Sequence, residues 1–99
     1  MPAIRGIWID NENGVAKFRI ADDCLDEPYL EFSIHFKTMY DVVDVLNNVE
    51  INYNEKIGMT EVRFVDYTGE YRDIMYSDPE DVKALFRKLV KIYKEMIED

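Results

Sequence analysis

Apolar positions recur along this chain at two spacings, and the last stretch shows the helical one most plainly. From Asp78 to Asp99, Val82, Leu85, Phe86, Leu89, Val90, Ile92, Tyr93, Met96 and Ile97 fall on one side of a helical wheel. Lys83, Arg87, Lys88, Lys91, Lys94, Glu95 and Glu98 fill the other, with Ala84 the exception. Asp78 is placed to act as N-cap, Pro79 follows at the first helical position, and Glu80 and Asp81 oppose the positive end of the helix dipole. In a chain of 99 residues such a helix has to cover the main core.

The period-two pattern predicts strands. Ala3 to Asp10 carries apolar groups on both parities, Ile4 and Trp8 on one and Ile7 and Ile9 on the other, which suggests an interior strand. Asn11-Glu12-Asn13-Gly14 is a turn signal, and Ala16, Phe18 and Ile20 then alternate with Lys17 and Arg19, so the first two strands form a hairpin. Leu30, Phe32, Ile34 and Phe36 alternate with Glu31, Ser33, His35 and Lys37 in the cleanest strand, Tyr29 to Lys37. Thr38 caps a helix, with Asp41 as reciprocal partner, and Met39, Val42, Val43, Leu46 and Val49 recur at helical spacing up to Asn47-Asn48. Glu50 to Lys56 reads as a loop. Met59 to Val65 and Tyr71 to Tyr76 form a second hairpin through Asp66-Tyr67-Thr68-Gly69, with Ile74 and Tyr76 expected to face inward. Across it, Arg63 can pair with Glu70 or Asp73, and Arg72 with Glu61 or Asp66.

These elements define a single α+β domain over residues 1–99, in the order β-β-β-α-β-β-α. About five mostly antiparallel strands form a sheet with both helices on one face. No internal sequence repeat, low-complexity tract or linker stands out.

Charge changes the picture more than composition does. The formal net charge is −9, and its distribution is uneven: residues 1–81 hold 18 acidic and 7 basic side chains, residues 82–99 hold 3 acidic and 5 basic. An acidic body wears a mildly basic helix. Such a surface repels phosphates and anionic lipid, so neither direct nucleic-acid binding nor membrane association is expected, and basic proteins are the favoured partners. A single cysteine, Cys24, no zinc-type cluster and no long apolar run lead to an expectation of a reducing, cytoplasmic setting.

No catalytic or cofactor motif emerges. Asp22, Asp23, Asp26, Glu27 and Glu31 lack the alternating oxygen ligands and central glycine of a calcium loop. Glu31, Ser33 and His35 project in parallel from one strand, which is not how a catalytic triad converges. Asp81-Val82-Lys83 opens a helix instead of lying on a strand, so it does not make a nuclease metal site. The four glycines are isolated and form no phosphate loop. The expectation is therefore a non-enzyme with no metal and no cofactor.

Seven tyrosines in a chain this short are suggestive, because tyrosine gives a binding surface large contact area at low entropic cost. Tyr29, Tyr40, Tyr53 and Tyr67 fall on polar parities, loops or turns, where neighbouring carboxylates would help recognise a basic partner. Asp22, Asp23, Asp26, Glu27, Tyr29, Glu31, Tyr40, Asp41 and Asp44 are accordingly the candidate partner-binding residues. The resulting expectation is a small acidic binding or regulatory protein that occupies a basic, nucleic-acid-binding site on another protein, as anti-restriction and anti-CRISPR inhibitors do by analogy of composition. Alternatives are a subunit of a homo-oligomer, held by a sheet edge or by Trp8, and a small-ligand protein or enzyme whose site the linear pattern does not display.

Overall fold

The computed structural model describes residues 2–22 and 29–98. Glycine in the left-handed region closes the first turn: Gly14 has φ 65°, and Asp10 accepts the Asn13 N–H at 3.1 Å. The turn joins β1 (Ala3–Asp10) to β2 (Val15–Ala21), and β3 (Leu30–His35) pairs antiparallel with β2 on its other side. Helix α1 (Asp41–Asn47) follows. The chain then forms β4 (Glu50–Asn54), β5 (Met59–Asp66), β6 (Gly69–Met75) and α2 (Pro79–Glu98).

Six strands in two three-stranded antiparallel meanders, β1-β2-β3 and β4-β5-β6, replace the single five-stranded sheet expected from the pattern. The additional strand is β4, which the sequence reads as loop. Its two asparagines and exposed Tyr53 obscure the alternation, and its partly buried Ile51 pairs with Val62 of β5. Side chains take the backbone donors at the end of β3 and just beyond it: Asp66 accepts the His35 N–H at 2.6 Å, and Asp41 accepts those of Lys37 and Thr38 at 2.9 and 2.8 Å.

Both helices serve both sheets. α1 packs on α2, β3 and β5, while α2 also touches β1 and β4. Phe32 sits at the centre of the core, with its ring 5.2 Å from Phe18, 5.4 Å from Phe64 of the second sheet and 5.8 Å from Phe86 of α2. Val82, Leu85, Phe86, Leu89 and Tyr93 of α2 are buried as its stripe requires, whereas Met96 is exposed. Asp78 caps the helix by accepting the Glu80 N–H at 2.9 Å. α1 begins at Asp41, later than expected, because residues 38–40 form a turn that the Asp41 carboxylate closes from behind.

Three further readings of the pattern are corrected. β1 is an edge strand, not an interior one: a bulge between Ile4 and Gly6 brings Ile4 to the same side as Ile7 and Ile9 and leaves Trp8 opposite, 48% exposed. On β6, Met75 is buried and Ile74 and Tyr76 face outward, because the register sets Met75 beside buried Thr60. In the second hairpin, Arg63 does pair with Glu70, at 2.5 Å. Arg72, however, stands opposite Arg63, while Glu61 bonds Asn54 and Asp66 turns inward.

The two halves also share a plan that the sequence does not display. Each is a three-stranded meander followed by a helix, and the first turn of each ends in a glycine of nearly identical conformation, Gly14 at φ 65° and Gly58 at φ 66°. Counted from those glycines, the buried positions of the central strands match: Ala16 with Thr60, Phe18 with Val62, Ile20 with Phe64 and Asp22 with Asp66. The two buried acids link the halves reciprocally. Asp22 accepts the Ser77 hydroxyl beyond β6 at 2.5 Å, and Asp66 accepts the backbone N–H at the end of β3.

Candidate functional site

The structure separates the nominated carboxylates by task. Asp22 is 4% exposed and bonded to Ser77. Asp41 is spent on the turn before α1, and the N–H groups of Thr38 and Lys37 hold its carboxyl below the ordinary range. Glu31 accepts Arg19 Nε and Nη2 at 3.1 and 2.8 Å and meets Lys17 at 3.5 Å, and the Arg19 hydrogen bond lowers its pKa. Asp44 is exposed in the first turn of α1, near exposed Tyr40. Asp23, Asp26 and Glu27, like Cys24, lie outside the described residues.

Tyr29 belongs to an arrangement that pattern reading missed. On the outer face of the first sheet the Arg19 guanidinium lies 4.9 Å from the Trp8 ring and 4.2 Å from the Tyr29 ring, with Glu31 on its edge. Strand register explains the grouping: Gly6 pairs with Arg19, Trp8 with Lys17, and Arg19 with Glu31. Gly6 is what allows Trp8 to lie there, since a Cβ at residue 6 would come within 2.3 Å of the indole ring. Trp8, Asp10, Val15, Lys17 and Arg19 line a shallow hollow of about 470 Å³ on this face. The available signal in the sequence was a glycine two residues before an otherwise outward-facing tryptophan, and it is readable only once the bulge is known.

A second concavity, of about 360 Å³, lies where the halves meet, lined by His35, Lys37, Asp41, Asp44, Val45, Val65, Asp66 and Tyr67. His35 Nδ1 is 3.4 Å from Asp66 Oδ2 and 3.4 Å from the Tyr71 hydroxyl, and its ring stacks on Tyr71. Burial alone would raise the Asp66 pKa. Hydrogen bonds from Thr68 and His35 more than offset that and hold the carboxyl below its usual range. Asp41 and Asp66 are thus already saturated with donors, and Lys37 leans over the Tyr67 ring at 5.5 Å. Among the described residues no group of histidine, cysteine and carboxylate side chains is arranged to hold a metal ion, and no helix is long and apolar enough to cross a membrane.

No protein-family model, curated protein or solved structure matches this chain.

Proposed function

We propose that the protein is a small acidic binding or regulatory protein that acts without catalysis by occupying a basic site on a partner protein, in the manner of an inhibitor that presents nucleic-acid-like charge. The observation that carries the reading is the surplus of uncompensated carboxylate. Asp22 aside, only Glu31, Glu70 and Glu80 of the described acids pair with lysine or arginine, while Glu12, Asp44, Glu50, Glu55 and Glu95 are exposed, on a chain of net charge −9. Such a surface attracts a basic partner over the range of the Debye length, about 8–10 Å at physiological salt.

The test is capture of the partner from the source cell or its host, followed by binding measurements on the purified pair at two salt concentrations. The expected result is association that weakens with salt and with simultaneous reversal of Glu12, Asp44, Glu50 and Glu55. Asp22 is left intact because reversing it would break the link to Ser77. Association indifferent to both salt and reversal would reject the electrostatic mechanism.

A further inference from the structure

We propose that the outer face of the first sheet, anchored on Trp8, Arg19 and Tyr29, is where the partner docks, and that it receives arginine side chains from that partner's basic surface. This rests on the reading of the protein as a binder of basic partners and assigns the contact surface within it.

Three observations converge on this face. The first is that its large side chains are exposed yet held in contact with one another. Trp8 is 48% and Tyr29 42% exposed, but Arg19 sits against both rings and is itself held by Glu31. Tryptophan, tyrosine and arginine dominate the energetics of protein interfaces, and side chains already fixed in place lose little further freedom on binding.

The second is a comparison within the molecule. Where the first half has Gly6, Trp8, Lys17 and Arg19 on its outer face, the second has Glu50, Asn52, Glu61 and Arg63. Arg63 pairs with Glu70, and no aromatic ring lies over its guanidinium among the described residues. The inward positions of the halves match and the outward ones do not, so the Trp8 arrangement is not a requirement of the shared fold.

The third is chemical. The face already brings one guanidinium within 4.2–4.9 Å of two ring centroids and onto a carboxylate, so its chemistry suits arginine, and the half-exposed Trp8 and Tyr29 rings keep further surface for a second one. Asp10 lines the hollow beside Trp8 with its carboxyl held low by Asn13, and Glu12 stands exposed at the adjoining turn. The cations nearby are mostly spent: Lys17 and Arg19 both bond Glu31, which leaves Arg5 at the bulge. The net charge of −9 supplies long-range attraction, and the aromatic rings favour guanidinium over ammonium.

The experiment uses the full chain with hexa-arginine and hexa-lysine amides as probes, by calorimetry and by the emission of Trp8, the sole tryptophan. The expected result is saturable binding of hexa-arginine that shifts Trp8 emission and is about fivefold tighter than that of hexa-lysine. Trp8→Ala and Tyr29→Ala should each weaken it about tenfold at unchanged thermal midpoint. Two substitutions and the wild-type emission keep the test decisive if one variant fails to fold. Hexa-arginine binding that leaves Trp8 emission, Trp8→Ala and Tyr29→Ala all unaffected overturns the docking face and leaves the acidic-binder reading standing. No binding of either peptide at low salt overturns both. Quenching of Trp8 by oligothymidine, or self-association lost in Trp8→Ala, assigns the face to nucleic acid or to a second copy and overturns the proposal.

Discussion

Asp66 Oδ2 accepts the backbone N–H of His35 at 2.6 Å, so a carboxylate at the end of β5 caps the last outward N–H of β3 and joins the two halves of the molecule. The same carboxylate takes the Thr68 N–H and hydroxyl. Since these bonds hold its pKa below the ordinary carboxylate range, the unfolded chain binds the proton more readily than the folded one. The stability contributed is present above the ordinary range and is lost as pH falls through the folded value. Asp66→Asn is expected to lower stability at neutral pH by about 1–3 kcal/mol and to flatten the acid limb of the stability profile. Urea unfolding at pH 7 and pH 3 measures both.

Asp73 has the opposite sign. It lies on the inward parity of β6 opposite buried Val62, burial raises its pKa, and among the described residues no hydrogen bond or ion pair compensates it. The folded state therefore holds this proton more tightly, and its relative stability falls as pH rises from the ordinary carboxylate range through the folded value. Asp73→Asn should stabilise the protein by about 1 kcal/mol at neutral pH, with the gain vanishing in acid. A neutral-pH midpoint unchanged or lowered by the substitution would contradict this.

Tyr93 ties α2 to the segment before α1 by donating its hydroxyl to the Met39 carbonyl at 2.7 Å. Burial, with the negative charge of Asp41 adding to it, pushes its pKa up to about 12. Stability is thus fully present below the usual tyrosine value of about 10 and declines between there and the folded value, as the unfolded chain ionises first. Tyr93→Phe should cost about 1–3 kcal/mol at neutral pH by orphaning the carbonyl, and should remove this part of the alkaline decline. Thermal unfolding across pH 8–12 separates the two effects.

Gly14 and Gly58 share a conformation and differ in surroundings. A Cβ at Gly14 would lie 2.6 Å from the Phe36 carbonyl oxygen, whereas at Gly58 the nearest atom is the Tyr53 hydroxyl at 3.8 Å. Gly58→Ala should therefore show only the left-handed backbone cost of about 1–2 kcal/mol, and Gly14→Ala distinctly more. Equal losses in parallel denaturant titrations would show that the Phe36 contact is irrelevant.

How far the sequence was legible follows from which signals are local. α2, its Asp78 cap, the hairpin glycines and the inward faces of β2, β3 and β5 are written in period and turn chemistry, and each formed accordingly. The division into two sheets was not legible, because strand patterns encode which face is buried and not which strands lie at a sheet edge. β4 was hidden by Asn52 and Asn54, residues that ordinarily mark turns. The shared plan of the halves is not legible in the sequence, since the matched pairs, such as Phe18 with Val62, preserve burial and not identity. At the candidate face, Tyr29 and Glu31 were nominated from sequence, but the bulge that turns Trp8 outward is a property of register.

The reciprocal links also bear on the order in which the molecule assembles. Every hydrogen-bonded strand pair joins neighbours along the chain, so each meander closes without a long excursion. The bonds from Ser77 to Asp22 and from Tyr93 to Met39 span 55 and 54 residues and so close far longer loops than any strand pairing does. A lesion at one of these long-range contacts is expected to leave the folding rate nearly unchanged and to hasten unfolding, as loss of a late-forming contact does.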